Sequence, residues 1–149
     1  MEKIRIALKK GEAIKYVGHL DFGRAIERAL RRAKLPVAYS VGFNPHMRWS
    51  CGSALGVGIG SEAEYVDVEM TESVDAKQFS QSLSEKLPPG LALVEARQVS
   101  STASLAAELN LAAYQAQVAD LVAPEQISAA ETAVKRLQHS ESVTYVRRA

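Results

Sequence analysis

Ile4, Ile6 and Leu8 alternate with Lys3, Arg5, Ala7 and Lys9, the period of two that marks a strand with one buried face. From Asp21 to Lys34 the period lengthens. Phe22, Ile26, Ala29, Leu30 and Ala33 form one apolar stripe, and Arg24, Glu27, Arg28, Arg31 and Arg32 occupy the rest, which predicts an amphipathic helix over 21–34. Asp21 is placed to accept hydrogen bonds from the free amides of the first turn, and Pro36 stops the helix just past its end. Pro36 to Tyr39 reads as a short extended piece and Gly42 to Pro45 as a loop. Met47, Trp49 and Cys51 then alternate with Arg48, Ser50 and Gly52, giving a second strand over 46–54. The glycines at 52, 56, 58 and 60 predict a wide hairpin turn before Val66, Val68 and Met70 resume alternation in a strand over 63–70. Phe79, Leu83 and Leu87 mark a second helix over 75–87, closed by Pro88-Pro89-Gly90, and a fourth strand follows over 91–99.

Residues 1–99 thus spell βαββαβ, the element order of a ferredoxin-like sandwich in the α+β class. Beyond residue 99 the pattern begins again, with a strand expected over 105–118, a helix over 124–138 and a strand over 142–148. That is a partial second βαβ repeat. Asp75-Ala-Lys-Gln-Phe79 and Ala123-Pro-Glu-Gln-Ile127 stand 48 residues apart in similar surroundings, a hint of internal duplication. No Pro/Ser-rich linker separates 1–99 from 100–149, so the two are expected to pack as one compact domain.

Composition narrows the class. The chain has 149 residues, 47% hydrophobic and 23% charged, enough to bury one core in the manner of an ordinary globular domain. Neither an apolar leader nor a run of roughly 18 apolar residues occurs, so a cytoplasmic, membrane-free protein is expected. The single Cys51 excludes an internal disulfide and cannot alone hold a thiolate zinc site or iron–sulfur cluster; neither cofactor nor metal is expected. Cys51 reads as a small core residue. The net charge of +1 conceals strong polarity. Residues 1–50 carry 11 Lys/Arg against 4 Asp/Glu, whereas residues 51–149 carry 7 against 13. A region so positive can attract phosphate or nucleic acid even in a nearly neutral molecule.

The candidate chemistry lies inside that region. Arg24, Arg28 and Arg31 fall on one helix face, where three guanidinium groups could line a phosphate backbone or form a solvated face supported by Glu27. Gly18 and Gly23 flank the helix start, whose free amides favour an anion, with Lys15 and His19 close by. His19 and His46 lie in separate loops. Together with Asp21 they are the candidates for proton transfer, since imidazole is the side chain suited to that chemistry at neutral pH; His139 complements a helix end. Phe43, Asn44, His46, Arg48 and Trp49 form a basic and aromatic loop that could stack on bases, although Trp49 suits the edge of the core better. Lys3, Arg5 and Lys9 are expected to face Asp67 and Glu69 across the sheet, because the first and third strands are neighbours in this topology. The sheet lacks the aromatic pair of an RRM, which excludes that module.

Gly18-His19-Leu20-Asp21, the run from Arg24 to Ala33, Leu35-Pro36-Val37-Ala38-Tyr39-Ser40 and Gly42-Phe43-Asn44-Pro45-His46 resemble the radical-SAM-linked protein family, described as a DUF2344 domain. The likeness continues through Ser53-Ala54-Leu55, Gly58 and Glu62-Ala63-Glu64-Tyr65-Val66-Asp67. Met47 and Arg48 replace the Pro-Lys that usually follows the His, and the family's further C-terminal segment does not follow Ala149, so a shortened chain with an open strand edge is expected. The resemblance implies a radical S-adenosylmethionine protein as partner and an RNA-linked setting, and it supplies no catalytic residues.

The expectation is therefore an accessory domain binding RNA or another phosphate-bearing partner through Lys15, His19, Arg24, Arg28, Arg31, Asn44, His46 and Arg48. A homodimer through an exposed edge strand is a further expectation. The alternatives are an enzyme acting on RNA, with His19 and His46 as acid and base, and a pure docking module using the Gly-rich 52–60 segment.

Overall fold

The computed structural model describes residues 2–52, 54–100, 103–115 and 123–139. The chain divides into two compact units, 1–111 and 112–149. In the first, β1 (Glu2–Lys10), α1 (His19–Arg32), β2 (Trp49–Cys51), β3 (Ser61–Met70), α2 (Ala76–Ser84) and β4 (Leu91–Val99) follow one another in the expected order. The four strands form one antiparallel sheet, ordered β2-β3-β1-β4. A 3-10 turn at Glu12–Ile14 leads from β1 towards α1.

Period-two alternation decides the faces. Ile4, Ile6 and Leu8 from β1 join Val66, Val68 and Met70 from β3 against Phe22, Ile26, Ala29 and Leu30 of α1 and Phe79 and Leu83 of α2. Both helices therefore cover the same side of the sheet. On the other side, Lys3 stands opposite Glu69 and Arg5 opposite Asp67, the cross-strand neighbours anticipated from sequence. Arg5 is buried, and its Nε donates to Asp67 Oδ1 at 2.7 Å while Nη2 donates to Oδ2 at 2.9 Å. Nη1 reaches Glu108 Oε2 at 2.5 Å. The two carboxylates hold the guanidinium well above its ordinary pKa, through the hydrogen bond to Asp67 first and that to Glu108 second. Lys9 pairs instead with Glu62, at 2.8 Å.

Several local expectations need correction. α1 starts at His19 with Gly18 as an N-cap that supplies no side-chain bond; Asp21 is already inside the first turn, where it complements the positive helix end and pairs with Arg24. At the other end Lys34 takes a left-handed conformation, φ +53°, and Leu35 N donates to Leu30 O at 3.4 Å, the closing bond of a Schellman motif. β2 is shorter than 46–54, because Ala38 reaches in and donates its N–H to Glu69 O at 2.8 Å, sharing the β3 edge with the 47–51 segment. α2 is capped by Asp75, whose Oδ1 accepts from the amides of Lys77 and Gln78.

The strand expected over 105–118 does not form in its described part. Leu105–Glu108 is a helical turn, α3, and 109–115 contains no strand. Ser104 accepts from Ala107 N as an N-cap, and the alanines and glutamate that follow suit a helix better than a ladder. α3 contributes to the sheet face that carries Arg5: Leu105 is buried, and the tip of the Leu109 side chain lies against Gly52, where a Cβ would force it to move. In the second unit, α4 spans Pro124–Gln138 as expected, with proline in its first turn. Asp75 and Ala123, the starts of the two similar pentapeptides, both stand at helix N-caps. Residues 116–118 and the strand expected over 142–148 lie outside the described residues. No helix among the described residues is long and apolar enough to cross a membrane.

Candidate nucleic-acid interface

β2 runs back along α1, and two contacts fix its direction. Cys51 Sγ lies 3.6 Å from His19 Nε2 at the start of the helix. Two residues earlier, the Trp49 ring lies against Gly23 so closely that a Cβ there would stand 2.8 Å from Cη2, and Trp49 Nε1 donates to Glu27 Oε1 at 3.0 Å. The chain upstream of Trp49 therefore leads towards the C-terminal half of α1, where Arg28, Arg31 and Lys34 stand. At 1.5 Å per residue, His19 and Arg31 are separated by about 18 Å along the helix axis. His46, five extended residues before Cys51, lies on the order of 16 Å from it along the strand. The structure thus sorts the candidate residues into two groups and does not bring His19 and His46 together.

The group at the start of α1 is largely engaged. Lys10, missed in the sequence, is buried, and its Nζ donates to Lys15 O at 3.0 Å and Val17 O at 2.9 Å, holding the 11–18 loop in place. A lysine closing a half-buried strand just before glycine was the only available signal. Lys10, His19, Phe22, Leu55 and Glu64 line a crevice with room for about one water. Burial pushes the Cys51 thiol up, opposed in part by its own backbone amide and reinforced by the charge of Glu64. A thiol shifted in that direction is a poor nucleophile at neutral pH, in keeping with a core role. Lys15 Nζ lies 2.6 Å from Glu12 Oε2 and 5.4 Å from the Tyr16 ring centroid, and the Glu12 hydrogen bond raises its pKa. Arg24 Nη1 donates to Asp21 Oδ1 at 3.0 Å. No group of three metal-binding side chains occurs among the described residues.

The second group is open. Arg28 and Arg31, one turn apart on α1, are exposed and make no ion pair among the described residues. Lys34 adds an exposed cation that sequence reading had left out of the site, although its position at a helix end was visible. Arg32 is held by Lys86 O at 2.6 Å. Arg48 Nε stands 2.6 Å from Glu69 Oε2, but its N–H is poorly aligned, so the contact is one of charge rather than a hydrogen bond. The 41–46 loop projects Val41 and Phe43 fully into solvent, at 102% and 106% relative exposure, with Asn44 and His46 also exposed. Its base is tied by Ser40, whose N–H donates to His46 O and whose Oγ accepts from His46 N. Of the two aromatics in this segment, Trp49 packs against the core and Phe43 is free.

Comparison with curated proteins finds no match. Over residues 3–149 the chain matches the family described as "Uncharacterized protein conserved in bacteria (DUF2344)", and it belongs to that family.

Proposed function

We propose that the protein is an RNA-binding accessory domain, of ferredoxin-like arrangement, that works beside a radical S-adenosylmethionine protein in the cytoplasm. The observation that carries the binding is the open cationic half of α1: Arg28 and Arg31 carry no carboxylate partner among the described residues, and the loop bearing Phe43 leads off the same end. Guanidinium groups one turn apart can follow successive phosphates, while an aromatic ring free in solvent can stack on an unpaired base. Single-stranded RNA offers both. The βαββαβ order and the β2-β3-β1-β4 sheet support the ferredoxin-like arrangement. The partner protein rests on the family resemblance alone.

Fluorescence anisotropy with a single-stranded RNA at several salt concentrations tests the reading. Arg28→Ala with Arg31→Ala should flatten the log–log salt dependence by about 1.4, since each phosphate contact on a single strand contributes about 0.7. Arg24→Ala should change the slope less, because Asp21 already holds that side chain. Phe43→Ala should weaken binding roughly tenfold without altering the slope. His19→Ala with His46→Ala should leave binding nearly intact. Salt-independent association, or an unchanged slope in the double arginine variant, would overturn the RNA reading.

A further inference from the structure

β4 is an edge strand, with only β1 beside it among the described residues. Which of its peptide groups face outward follows from hydrogen bonds elsewhere in the sheet. Gly52 N donates to Tyr65 O and Glu69 N donates to Arg48 O, so the odd-numbered residues of β3 aim their peptide groups at β2 and the even-numbered ones at β1. Ile4 stands opposite Val68 and Ile6 opposite Val66, so Ile4 and Ile6 aim at β3 and Lys3, Arg5 and Ala7 aim at β4. Their partners on β4 are Val99, Arg97 and Glu95. Ala96 and Gln98 consequently present their N–H and C=O groups outward.

We infer that this edge pairs with the β4 edge of a second copy of the chain, antiparallel, with the twofold axis at Ala96. In that register Ala96 exchanges both backbone hydrogen bonds with Ala96 of the second copy. Glu95 and Arg97 then fall into non-hydrogen-bonded pairs, whose Cα atoms approach to about 4.5 Å, and each Glu95 faces Arg97 of the other copy. Both side chains are more than half exposed, and within one chain they lie a loose 3.9 Å apart, free to re-pair. Shifting the axis to residue 95 or 97 would oppose glutamate to glutamate or arginine to arginine, so charge selects one register. An interface of this kind is isologous and closes on itself. Edges are commonly blunted by bulges, and the irregularity in the β1–β4 ladder lies between its Ala7–Glu95 and Leu8–Leu93 pairs, which leaves 95–99 regular. The two sheets would join into one of twice the width.

Sedimentation velocity over a concentration series tests this with the full chain. The wild type should dimerise. Glu95→Arg and Arg97→Glu should each weaken dimerisation roughly tenfold, by turning two attractive cross-strand pairs into repulsive ones, and combining them should restore it. Both sites are on the surface, and circular dichroism of each variant should match the wild type. A wild type that stays monomeric, single variants that dimerise as well as the wild type, or a double variant that does not recover would overturn the inference. RNA binding by the monomer is unaffected by any of these outcomes.

Discussion

Arg5 organises the sheet face away from α1 and α2, because its planar fork meets both oxygens of Asp67 and still reaches Glu108. Arg5→Met should destabilise the protein by about 3 kcal/mol or more in urea unfolding, since it leaves the buried Asp67 carboxylate uncompensated. Adding Asp67→Leu should return much of that loss. Cys51 gives a pH prediction. Its folded pKa is raised, so the folded protein keeps the thiol proton to higher pH than the unfolded chain does. The corresponding stability is fully present below the ordinary thiol pKa, about 8.5, and is lost as pH rises through the folded value. Alkylation with iodoacetamide at neutral pH should accordingly be slower in native protein than in urea, and native rates should begin to climb at higher pH than those of the unfolded chain. Lys34 occupies the left-handed position where glycine is usual, so Lys34→Gly should raise stability by about 1 kcal/mol in the same urea titration.

Among the elements, α1 and β2 meet at a single close approach. Gly23→Ala would gain helix propensity of up to about 1 kcal/mol, yet its Cβ would enter the rigid Trp49 ring at 2.8 Å, and overpacking of that kind costs about 1–3 kcal/mol. A lower melting temperature with a shifted Trp49 emission should result. The strands and helices from β1 to β4 were legible because each buries one face, which forces a period of two or 3.6 onto the sequence. The helix start at His19 was not legible, since Gly18 caps without a side chain and leaves no polar signature. Nor was α3: a short alanine-rich apolar run reads equally as strand or helix, and Ser104 was the deciding residue. The site was half legible. Cationic spacing on α1 was plain, as was the i,i+3 spacing that lets Asp21 occupy Arg24, but sequence spacing could not show that β2 would carry His46 away from His19.

At the scale of the molecule, all of the principal core residues fall between Ile4 and Leu91, within the first unit. A chain ending at residue 111 should therefore fold alone and unfold in one cooperative transition, measurable by circular dichroism at increasing urea. It should also keep the salt-dependent RNA binding proposed for the full chain. The positive excess of residues 1–50 is not spread over the surface. Arg5 and Lys10 are spent inside the fold, and Lys9, Lys15, Arg24 and Arg48 sit beside carboxylates. What reaches solvent without a partner is concentrated at the far end of α1, around Arg28, Arg31 and Lys34. Within the first unit the unpaired positive charge is therefore local, although the chain as a whole has a net charge of only +1. A polyanion would feel that end of α1 within a Debye length, at a distance where the rest of the chain's charge is screened, so low ionic strength should accelerate productive encounters more than the net charge alone would allow.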